Sequence, residues 1–427
     1  FDVRMLPADY VTTEAGTGIV HIAPGHGAED FDLGMEYGIE VPQTVSEDGT
    51  YYDHVPRFAG HHVYKAHDPV CEALIEASAL LARGKVVHSY PHSWRSKAPL
   101  IFRNAPQWFI SMTTTGLRDK ALAAIDATRF VPASGEKRLR GMIASRPDWL
   151  VSRQRAWGVP ITVFVNKETG EPLRDEAVNA RVADAVAAGG ADAWFSTPAQ
   201  EFLGDSYDAE DFDMVEDILD VWFDSGSTHA FVLEQRDDLQ WPASLYLEGS
   251  DQHRGWFHSS LLESSGTRGR APYDAVLTHG FLMDGKGYKM SKSMGNTVEP
   301  EKVIKQFGAD ILRLWVVASD YSEDLRIGDE IIKGQVDAYR RLRNTFRFML
   351  GNLNDFNDAE SIDISEMPEL DRWVLHRLSE LDEVVRKGCN DYEFHALYVA
   401  LHNFCTVELS AFYFDIRKDV LYCDGSD

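Results

Sequence analysis

Three short apolar runs in the middle of the chain each end at a polar turn that contains glycine, and this pattern restricts the fold more than any other feature. The runs lie at residues 218–221, 245–247 and 275–277. Apolar runs of this length, bounded by turn residues, are typical of buried strands. Because ligands of parallel α/β sheets bind where the strands end, the pattern predicts an α/β fold with a binding site in the turns after these strands.

A loop rich in lysine and serine follows the third run, at residues 283–296. Its central residues are Lys289, Ser291, Lys292 and Ser293, and its flanking glycines are Gly285, Gly287 and Gly295. Two ammonium groups three residues apart, together with two hydroxyls, form a compact set of positive charges and donors that suits a polyphosphate. The alternative is a solvated surface turn that carries two lysines.

A Walker-type phosphate loop is a competing interpretation of the same region. Residues 280–286 have the spacing of that motif, but Gly287 stands where a serine or threonine would hold magnesium. We therefore reject a Walker-type loop here.

The chain is acidic as a whole, but it contains two local clusters of basic residues. The net charge is −26, from 42 basic and 68 acidic residues. This balance argues against a nucleic-acid partner, because phosphate contacts require Lys and Arg. The first basic cluster lies at 137–155 and the second at 340–347. Each cluster is consistent with a nucleic-acid contact or with a solvated helix face.

Length and composition indicate an ordinary globular protein of several domains. The 427 residues predict about two to four domains. No apolar run reaches the length needed to span a membrane, which predicts no membrane partner. The four cysteines show no metal or redox spacing, which predicts reduced thiols and a cytoplasmic location.

Residues 16–31 predict a short buried strand at 19–22, a glycine turn, and a helix that begins near Ala28. Asp30 falls in the first turn of that helix, where acidic residues are common. Asp30 has two interpretations: a carboxylate that caps the helix, or one at a pocket mouth that holds a substrate ammonium. His21 and His26 do not have the spacing of a metal site, so we predict no metal there.

Residues 146–161 combine arginine, glutamine and tryptophan around Arg153, Gln154 and Arg155. Side chains of these types bind phosphates and stack on sugars or bases. The alternative is an arginine-rich helix packed against acidic neighbours.

Taken in order, the three strand ends and the lysine loop resemble the second half of the catalytic domain of class I aminoacyl-tRNA synthetases of the isoleucyl type. Residues 289–293 match the Lys-Met-Ser-Lys-Ser loop that steadies ATP phosphates in that family. Residues 249–256, Gly-Ser-Asp-Gln-His-Arg-Gly-Trp, are similar to the isoleucyl type. The resemblance implies a Rossmann-like nucleotide-binding domain and an enzyme that joins an amino acid first to ATP and then to tRNA.

The resemblance also implies which residues contact each part of the substrate. Trp222 and Trp256 would flank the isoleucine side chain, and Glu248 would meet its ammonium group. The residues that would hold or border the adenylate are Gly249, Asp251, Gln252, His279 and Gly280. The catalytic contacts to the phosphates would come from Lys289, Ser291, Lys292 and Ser293.

Residues 16–31 closely resemble the editing domain of isoleucyl-tRNA synthetases. By that resemblance, Asp30 anchors the amino group of a mischarged amino acid and His21 lines the same pocket. Such enzymes need a second, hydrolytic site, because a hydrophobic pocket discriminates poorly between two side chains that differ by one methylene. The resemblance therefore implies editing of mischarged valine, with only the second half of the editing domain in this chain.

The partners implied by the resemblance are isoleucine, ATP with Mg²⁺, and tRNA(Ile), bound by a cytoplasmic monomer. Arg153, Gln154 and Arg155 would lie near the acceptor end of the tRNA, and the second basic cluster would also face tRNA. Many family members carry a cysteine-based zinc knuckle where this chain has Ser93 and Ser96. Because a serine hydroxyl is a poor zinc ligand, we predict no structural zinc.

The chain divides into four predicted parts. Residues 1–85 are the C-terminal part of a β-rich editing domain, and 86–150 are a connection back to the catalytic body. Residues 151–330 are the second half of the catalytic domain, with an inserted acidic module at 166–215. From residue 331 to 427, apolar residues recur at helical spacing, which predicts the start of a helical anticodon-binding domain.

The family's other ATP motif, His-x-Gly-His, does not occur in these 427 residues. We therefore expect an internal fragment that holds one wall of the active site and is inactive alone in ligation. Two alternative functions for the fragment stay open: a tRNA-binding module without catalysis, and a residual deacylase.

Overall fold

The computed structural model describes residues 3–14, 16–93, 96–291, 294–354 and 356–423. The chain forms two compact units, Phe1–Trp108 and Phe109–Asp427. Two residues of the lysine loop, Lys292 and Ser293, lie outside the described residues, so their roles stay predictions. Within the described ranges, no helix is both long and apolar enough to cross a membrane.

The first unit contains two helices, α1 (Ala28–Glu36) and α2 (His67–Glu76), and a 3₁₀ turn at Val63–Lys65. Helix α1 begins where the sequence predicts. Its first turn contains Glu29 and Asp30, and negative charge there complements the partial positive charge of the helix N-terminus.

The sequence predicts that the first part of the chain is rich in β-strands. This prediction is wrong for the described residues up to 108, which contain isolated bridges but no regular strand. Those bridges join Val45 to Tyr51, Thr50 to His62, and His92 to Pro99. The predicted buried strand at 19–22 is also wrong, since Ile19 and Val20 are 73% and 57% exposed. An apolar run becomes a strand only where a neighbouring strand pairs with it, and the described residues offer 19–22 no such partner.

The second unit contains short strands and many helices. The strands are β1 (Phe109–Ile110), β2 (Arg129–Val131), β3 (Trp149–Leu150), β4 (Ser152–Arg153), β5 (Phe164–Asn166), β6 (Phe212–Met214), β7 (Ile218–Leu219), β8 (Tyr246–Gly249), β9 (Ala275–His279), β10 (Leu282–Met283) and β11 (Leu325–Arg326). The first helices are α3 (Leu117–Asp126), α4 (Ser134–Ala144), α5 (Glu176–Gly189), α6 (Ala193–Ser196), α7 (Ala199–Leu203), α8 (Val221–Gly226) and α9 (Trp256–Thr267). The later helices are α10 (Pro300–Phe307), α11 (Ala309–Ala318), α12 (Asp329–Asn352), α13 (Glu369–Asp391), α14 (Phe394–Asn403) and α15 (Phe414–Tyr422).

A parallel three-stranded sheet with the order β2-β9-β8 forms the centre of the second unit. Four of the five residues of β9 are buried, as expected for the middle strand of a parallel sheet with both faces covered. Helix α9 packs against α3 and α8 and buries Phe257, Leu261 and Leu262 almost completely. Strand β2 lies inside the segment 86–150, so part of that predicted connection belongs to this sheet.

The run at 218–221 does not form a strand of the parallel sheet, which corrects the sequence-based expectation. Strand β7 pairs antiparallel with β4, and the chain then enters helix α8 directly. Asp220 causes this change, because its side chain accepts a hydrogen bond from the backbone N–H of Trp222 and caps the helix. Val221 consequently lies on the helix surface, 67% exposed.

The segment predicted as an inserted module at 166–215 has a small core of its own. The buried residues of this core are Phe164, Val178, Val182, Trp194, Phe202 and Leu203. Strands β5 and β6 pair antiparallel at the base of the segment. Asp175 caps helix α5 by accepting hydrogen bonds from Ala177 and Val178, and Gly190, at a positive φ of 75°, ends it.

The C-terminal part is helical, as the apolar spacing predicts. Helices α10, α11 and α12 pack around Trp315 and Ile332, and α13 to α15 pack with α12 around Phe404 and Phe414. Asn390 and Asp391 are of types common at helix starts, and the sequence therefore predicts a helix beginning there; this prediction is wrong, because the two residues end α13. Tyr392 has a positive φ of 60°, which stops the helix there.

Candidate functional site

Strands β8 and β9 end side by side and bring together four of the residues predicted to bind the amino acid or the adenylate. In the parallel register, Glu248 lies opposite Thr278, and Gly249 lies opposite His279. A Cβ added at Gly249 would lie 2.6 Å from Oδ1 of Asp251 and 3.8 Å from Cε1 of His279. The carboxylates of Glu248 and Asp251 are exposed at this edge, where they are accessible to a ligand.

Gly280, directly after β9, lies so close to another segment that no side chain fits there. A Cβ at this position would collide with the carbonyl oxygen of Glu323 and lie 2.6 Å from the backbone nitrogen of Asp324. The Gly280 N–H donates to the carbonyl of Tyr321 at 2.9 Å. The close approach therefore fixes the path of the chain as it leaves the sheet.

Trp222 and Trp256 come from different helices, and the Trp222 ring lies against Gly255, the residue before Trp256. A Cβ added at Gly255 would lie 2.7 Å from the Trp222 ring and 2.5 Å from Oε1 of Gln252. That Gln252 oxygen accepts a hydrogen bond from the backbone N–H of Trp256 at 3.0 Å, which satisfies a donor at the start of α9. Glycine at 255 thus allows the Trp222 ring and the Gln252 side chain to lie close to the backbone just before α9.

The two tryptophans differ in how firmly they are held. The Trp256 ring stacks on Tyr246 at 4.1 Å with an interplanar angle of 9°, and its Nε1 donates to Oγ1 of Thr228 at 3.2 Å. Trp222 is 43% exposed. Trp256 is therefore held by two neighbours, whereas Trp222 is partly accessible to solvent.

The lysine loop begins as a tight hairpin that places Lys289 near the end of β9. Met283 and Lys289 pair in an antiparallel bridge. The exposed Lys289 ammonium lies 5.0 Å from the centre of the Phe281 ring, within the range of a cation–π contact. Because Phe281 immediately follows Gly280, the positive charge lies beside the strand end. Met290 anchors the loop by packing on the core around Trp315.

Asp284 and Asn296 organise this loop, and the sequence-based reasoning missed both. Oδ1 of Asp284 accepts hydrogen bonds from the backbone of Lys286 and Tyr288, each at 2.9 Å. Bonds from Tyr288 and Asn296 lower the pKa of the Asp284 carboxyl. The signal available in the sequence was the Asp-Gly pair at 284–285, which is typical of a turn whose aspartate binds its own backbone.

Two of the predicted tRNA-binding residues contact acidic side chains of the protein, and the third is exposed to solvent. Arg153 forms a 2.9 Å ion pair with Asp220, whose side chain is 10% exposed. Gln154 donates to Oδ2 of Asp217 at 3.1 Å. Arg155 and Trp157 are exposed, Trp157 by 89%. Arg153 thus packs against an acidic neighbour, as the alternative interpretation of a structural arginine-rich helix expects. It lies, however, on strand β4 and not on a helix.

The second basic cluster lines a groove of about 1080 Å³ between α11 and α12. Its arginines are Arg340, Arg343 and Arg347 on α12, joined by Arg313 on α11. Arg340 pairs with Asp337 at 3.0 Å, and Arg343 lies over the Tyr339 ring at 5.7 Å. Phe346 is 56% exposed in the same groove, so basic and aromatic groups alternate there.

In the first unit, Asp30 closes the glycine turn that precedes α1. Its Oδ2 accepts from the backbone N–H of Ala23 at 2.8 Å, and its Oδ1 accepts from the Tyr10 hydroxyl at 3.1 Å. Desolvation and the Asp30 carboxylate raise the pKa of Tyr10. Gly27, and not Asp30, is the N-cap of α1. His21 is exposed.

No cluster of three or more metal-ligating side chains occurs among the residues that the structure describes. Ser93 and Ser96 form a turn in which the Ser96 N–H donates to Oγ of Ser93 at 3.2 Å. The expected lack of structural zinc stays a prediction.

Comparison with known families shows where the chain belongs. The family model of class I tRNA synthetases (I, L, M and V) matches residues 25–328. The chain belongs to the class I tRNA synthetases. The model of the anticodon-binding domain of tRNA ligases matches residues 371–427 of this synthetase, inside the part predicted to be helical.

Curated relatives of this class I synthetase are isoleucine–tRNA ligases. That of Pelagibacter ubique (strain HTCC1062) is 59% identical over 430 residues, which cover 100% of this chain and 48% of the relative. That of Gluconobacter oxydans (strain 621H) is 56% identical over 437 residues, which cover 100% of this chain and 45% of the relative. The chain therefore spans about half the length of the curated relatives it matches. The resemblance to the isoleucyl type is confirmed.

Solved synthetases share the fold of this class I chain. A methionyl-tRNA synthetase of Mycobacterium tuberculosis in complex with methionyl-adenylate has a TM-score of 0.53 and 18% identity, over 80% of this chain and 59% of that chain. At this identity the likeness concerns the fold alone. It agrees with the predicted α/β class I fold and its parallel sheet.

Proposed function

We propose that this chain is part of an isoleucine–tRNA ligase and supplies one wall of its amino-acid and adenylate site. The whole ligase activates isoleucine with ATP and transfers the acyl group to tRNA(Ile). The observation that carries the proposal is the approach of the Trp222 ring to Gly255, the residue before Trp256, in the turn that follows the aligned ends of β8 and β9. This arrangement combines an aromatic surface for an aliphatic side chain with exposed carboxylates for an ammonium group and ribose hydroxyls.

Each group in this wall then has a defined task. Trp222 and Trp256 contact the isoleucine side chain, and Glu248 binds its ammonium group. Asp251 and Gln252 hold the adenylate, and Gly249, His279 and Gly280 border it. In the first step the isoleucine carboxylate attacks the α-phosphorus of ATP, and the bond to pyrophosphate breaks.

The lysine loop serves the leaving pyrophosphate. Negative charge grows on the phosphate oxygens as the bond breaks, and the exposed Lys289 ammonium, 5.0 Å from the Phe281 ring, is close to the strand end where those oxygens would lie. Lys292, Ser291 and Ser293 complete the proposed set. A positive group placed where charge develops lowers the barrier more than one that binds the ground state.

Mg²⁺, when bound with ATP, would neutralise phosphate charge and orient the phosphates. The described residues contain no cluster of three or more ligands that would hold the ion by themselves. We therefore assign it to the nucleotide and derive no protein-held metal site.

The test is isoleucine-dependent ATP–pyrophosphate exchange by the full-length ligase. We expect strong exchange with isoleucine, weaker exchange with valine, and none by the 427-residue chain alone. Lys289→Ala should lower kcat about 100-fold and change KM for isoleucine by less than about threefold. Lys286→Ala is the matched control, because Lys286 is an exposed lysine of the same hairpin. Preference for another amino acid, or equal losses in both variants, would reject the assignment.

Editing is a finer part of the proposal and concerns the first unit. We infer that Asp30 binds the amino group of valine on mischarged tRNA(Ile) and that His21 lies in the same pocket. The support is that Ala23 and Tyr10 hold the Asp30 carboxylate in one orientation. Asp30→Ala in the full-length ligase should lower deacylation of Val-tRNA(Ile) at least about tenfold and leave isoleucine activation unchanged. Unchanged deacylation would remove Asp30 from the editing site.

A further inference from the structure

Residues 318–326, from the last residue of α11 to the end of β11, contact two parts of the second unit that are distant from each other in sequence. We call them the bridging segment. On one side the segment extends the lysine loop into a small ladder. Strand β11 pairs parallel with β10, where Arg326 lies opposite Met283, and Met283 also forms the bridge to Lys289. The bridging segment thus supports the strand from which the lysine loop begins.

The same side of the bridging segment holds the backbone directly after β9. The N–H of Gly280 donates to the carbonyl oxygen of Tyr321 at 2.9 Å, and the N–H of Phe281 donates to Oδ1 of Asp324 at 2.7 Å. The Phe281 ring is the one that the Lys289 ammonium approaches at 5.0 Å. The segment therefore positions both the glycine proposed to border the adenylate and the base of the lysine loop.

On its other side, the bridging segment contacts the turn between α13 and α14. The Tyr321 hydroxyl donates to the carbonyl oxygen of Tyr392 at 2.6 Å, and the Tyr321 ring lies 6.2 Å from the ring of Phe394. Nδ1 of His395 lies 2.6 Å from the carbonyl oxygen of Ala318, and it is the donor because a carbonyl can only accept. Two hydrogen bonds and one ring contact thus join the segment to the helical part.

The turn that accepts the Tyr321 hydroxyl is held in place from the central sheet. Tyr392 has a positive φ of 60°, which few residues other than glycine adopt. The Arg129 guanidinium lies 5.1 Å from the centre of the Tyr392 ring and donates to the carbonyl oxygen of Asn390 at 2.7 Å. Arg129 belongs to β2, the neighbour of β9 in the parallel sheet. The Tyr392 carbonyl is therefore a well-positioned acceptor for the Tyr321 hydroxyl.

We propose that Tyr321 is a positioning residue for the nucleotide. Its carbonyl holds Gly280 and its hydroxyl is anchored on Tyr392, so that the end of β9 and the lysine loop keep the arrangement that binds ATP. The inference rests on the proposed function, because it takes Gly280 and Lys289 as nucleotide contacts. The residues assigned to isoleucine come from β8, α8 and α9, whereas the bridging segment bonds the residues after β9. Binding of ATP and binding of isoleucine should therefore respond differently to a change at Tyr321.

Tyr321→Phe in the full-length ligase tests the proposal, because it removes the hydroxyl and keeps the ring and the backbone carbonyl. In isoleucine-dependent ATP–pyrophosphate exchange, we expect KM for ATP to rise about fivefold, the size expected for one lost hydrogen bond. KM for isoleucine should stay within about twofold. Tyr413→Phe is the matched control, because the Tyr413 hydroxyl also makes a 2.6 Å hydrogen bond, to Asp371 on α13 and not to the bridging segment. This control should leave both KM values unchanged.

The outcomes that overturn the proposal are distinct from failure of the proposed function. An unchanged KM for ATP in Tyr321→Phe would overturn it. Equal rises in KM for ATP and for isoleucine, or the same rise in Tyr413→Phe, would indicate a general loss of structure and would also overturn it. Thermal unfolding confirms that both variants are folded at the assay temperature. Absence of isoleucine-dependent exchange in the parent ligase would instead reject the proposed function itself.

Discussion

The side chain of Asn296 donates a 3.0 Å hydrogen bond from Nδ2 to Oδ2 of Asp284, and so joins the two ends of the lysine loop. Its Oδ1 accepts from the backbone N–H of Ser291 at 2.9 Å. One amide thereby ties the start of the loop, at Asp284, to its centre, at Ser291. The loop around Lys289 is held at its base by this contact, although its basic side chain is exposed.

Replacement of Asn296 by alanine should therefore affect the phosphate step more than isoleucine binding. We expect Asn296→Ala in the full-length ligase to lower kcat for ATP–pyrophosphate exchange about tenfold, because positioning of the loop lysines is lost, with KM for isoleucine nearly unchanged. Thr297→Ala, at the next and exposed position, is the control. A parallel rise in KM for isoleucine would show that the contact supports the whole site and not the loop.

Gly280→Ala should destabilise the second unit, because its methyl group would collide with the backbone at Glu323. Backbone cannot move aside as a flexible side chain can, so we expect a loss of about 2–4 kcal/mol in the free energy of unfolding, comparable to other severe overpacking. Thermal unfolding measures it. Gly269→Ala serves as a control without a clash, since no atom lies within 4 Å of the position, although its φ of 76° adds some backbone strain. Equal losses in the two variants would contradict the collision at Gly280.

Arg153 and Arg155 should behave differently, although the sequence groups them. Arg153→Ala leaves the mostly buried Asp220 without its partner, which should lower the free energy of unfolding by about 2–3 kcal/mol. Arg155→Ala removes an exposed charge and should leave stability within about 0.5 kcal/mol. If Arg155 contacts tRNA, its loss should weaken tRNA(Ile) binding and reduce the salt dependence of that binding. Unchanged tRNA affinity in Arg155→Ala would reject the contact.

Glu263 should make the stability of the chain depend on pH. Its pKa is raised from 4.5 in the unfolded chain to about 9 in the fold, so its contribution is fully present below pH 4.5 and is lost as pH rises toward 9. We expect the chain to lose about 4 kcal/mol between pH 5 and pH 8 through this group. Glu263→Gln should show a smaller loss over that interval, whereas Glu168→Gln, at an exposed position, should not differ from the parent. Identical pH profiles for all three would show that Glu263 is ionised in the fold.

Local sequence patterns were enough to predict several elements. The helix start at Ala28, the strands β8 and β9, and the apolar spacing of α12 and α13 all depend on residues close together in the chain, where periodicity and turn residues act directly. The order of strand ends and lysine loop also sufficed for the family resemblance, which the comparisons confirm.

Long-range pairing decided what those patterns could not. The run at 218–221 is apolar enough for a sheet strand, yet β7 pairs with β4 and Asp220 turns the chain into α8. The run at 19–22 is equally apolar, yet it lies exposed because no described strand pairs with it. A strand is defined by its neighbour, and the identity of that neighbour is not a local property.

The sequence alone therefore determined the family, the fold class and the types of residue in the site. The tertiary structure decided which of those residues meet. It placed the Trp222 ring against Gly255 and paired Arg153 with Asp220. It also hydrogen-bonded the Asp30 carboxylate to the backbone of Ala23 and buried Glu263 beside a cleft. The physical reason is that burial and hydrogen-bond partners come from residues distant in sequence, and these set the charge state and accessibility of a side chain.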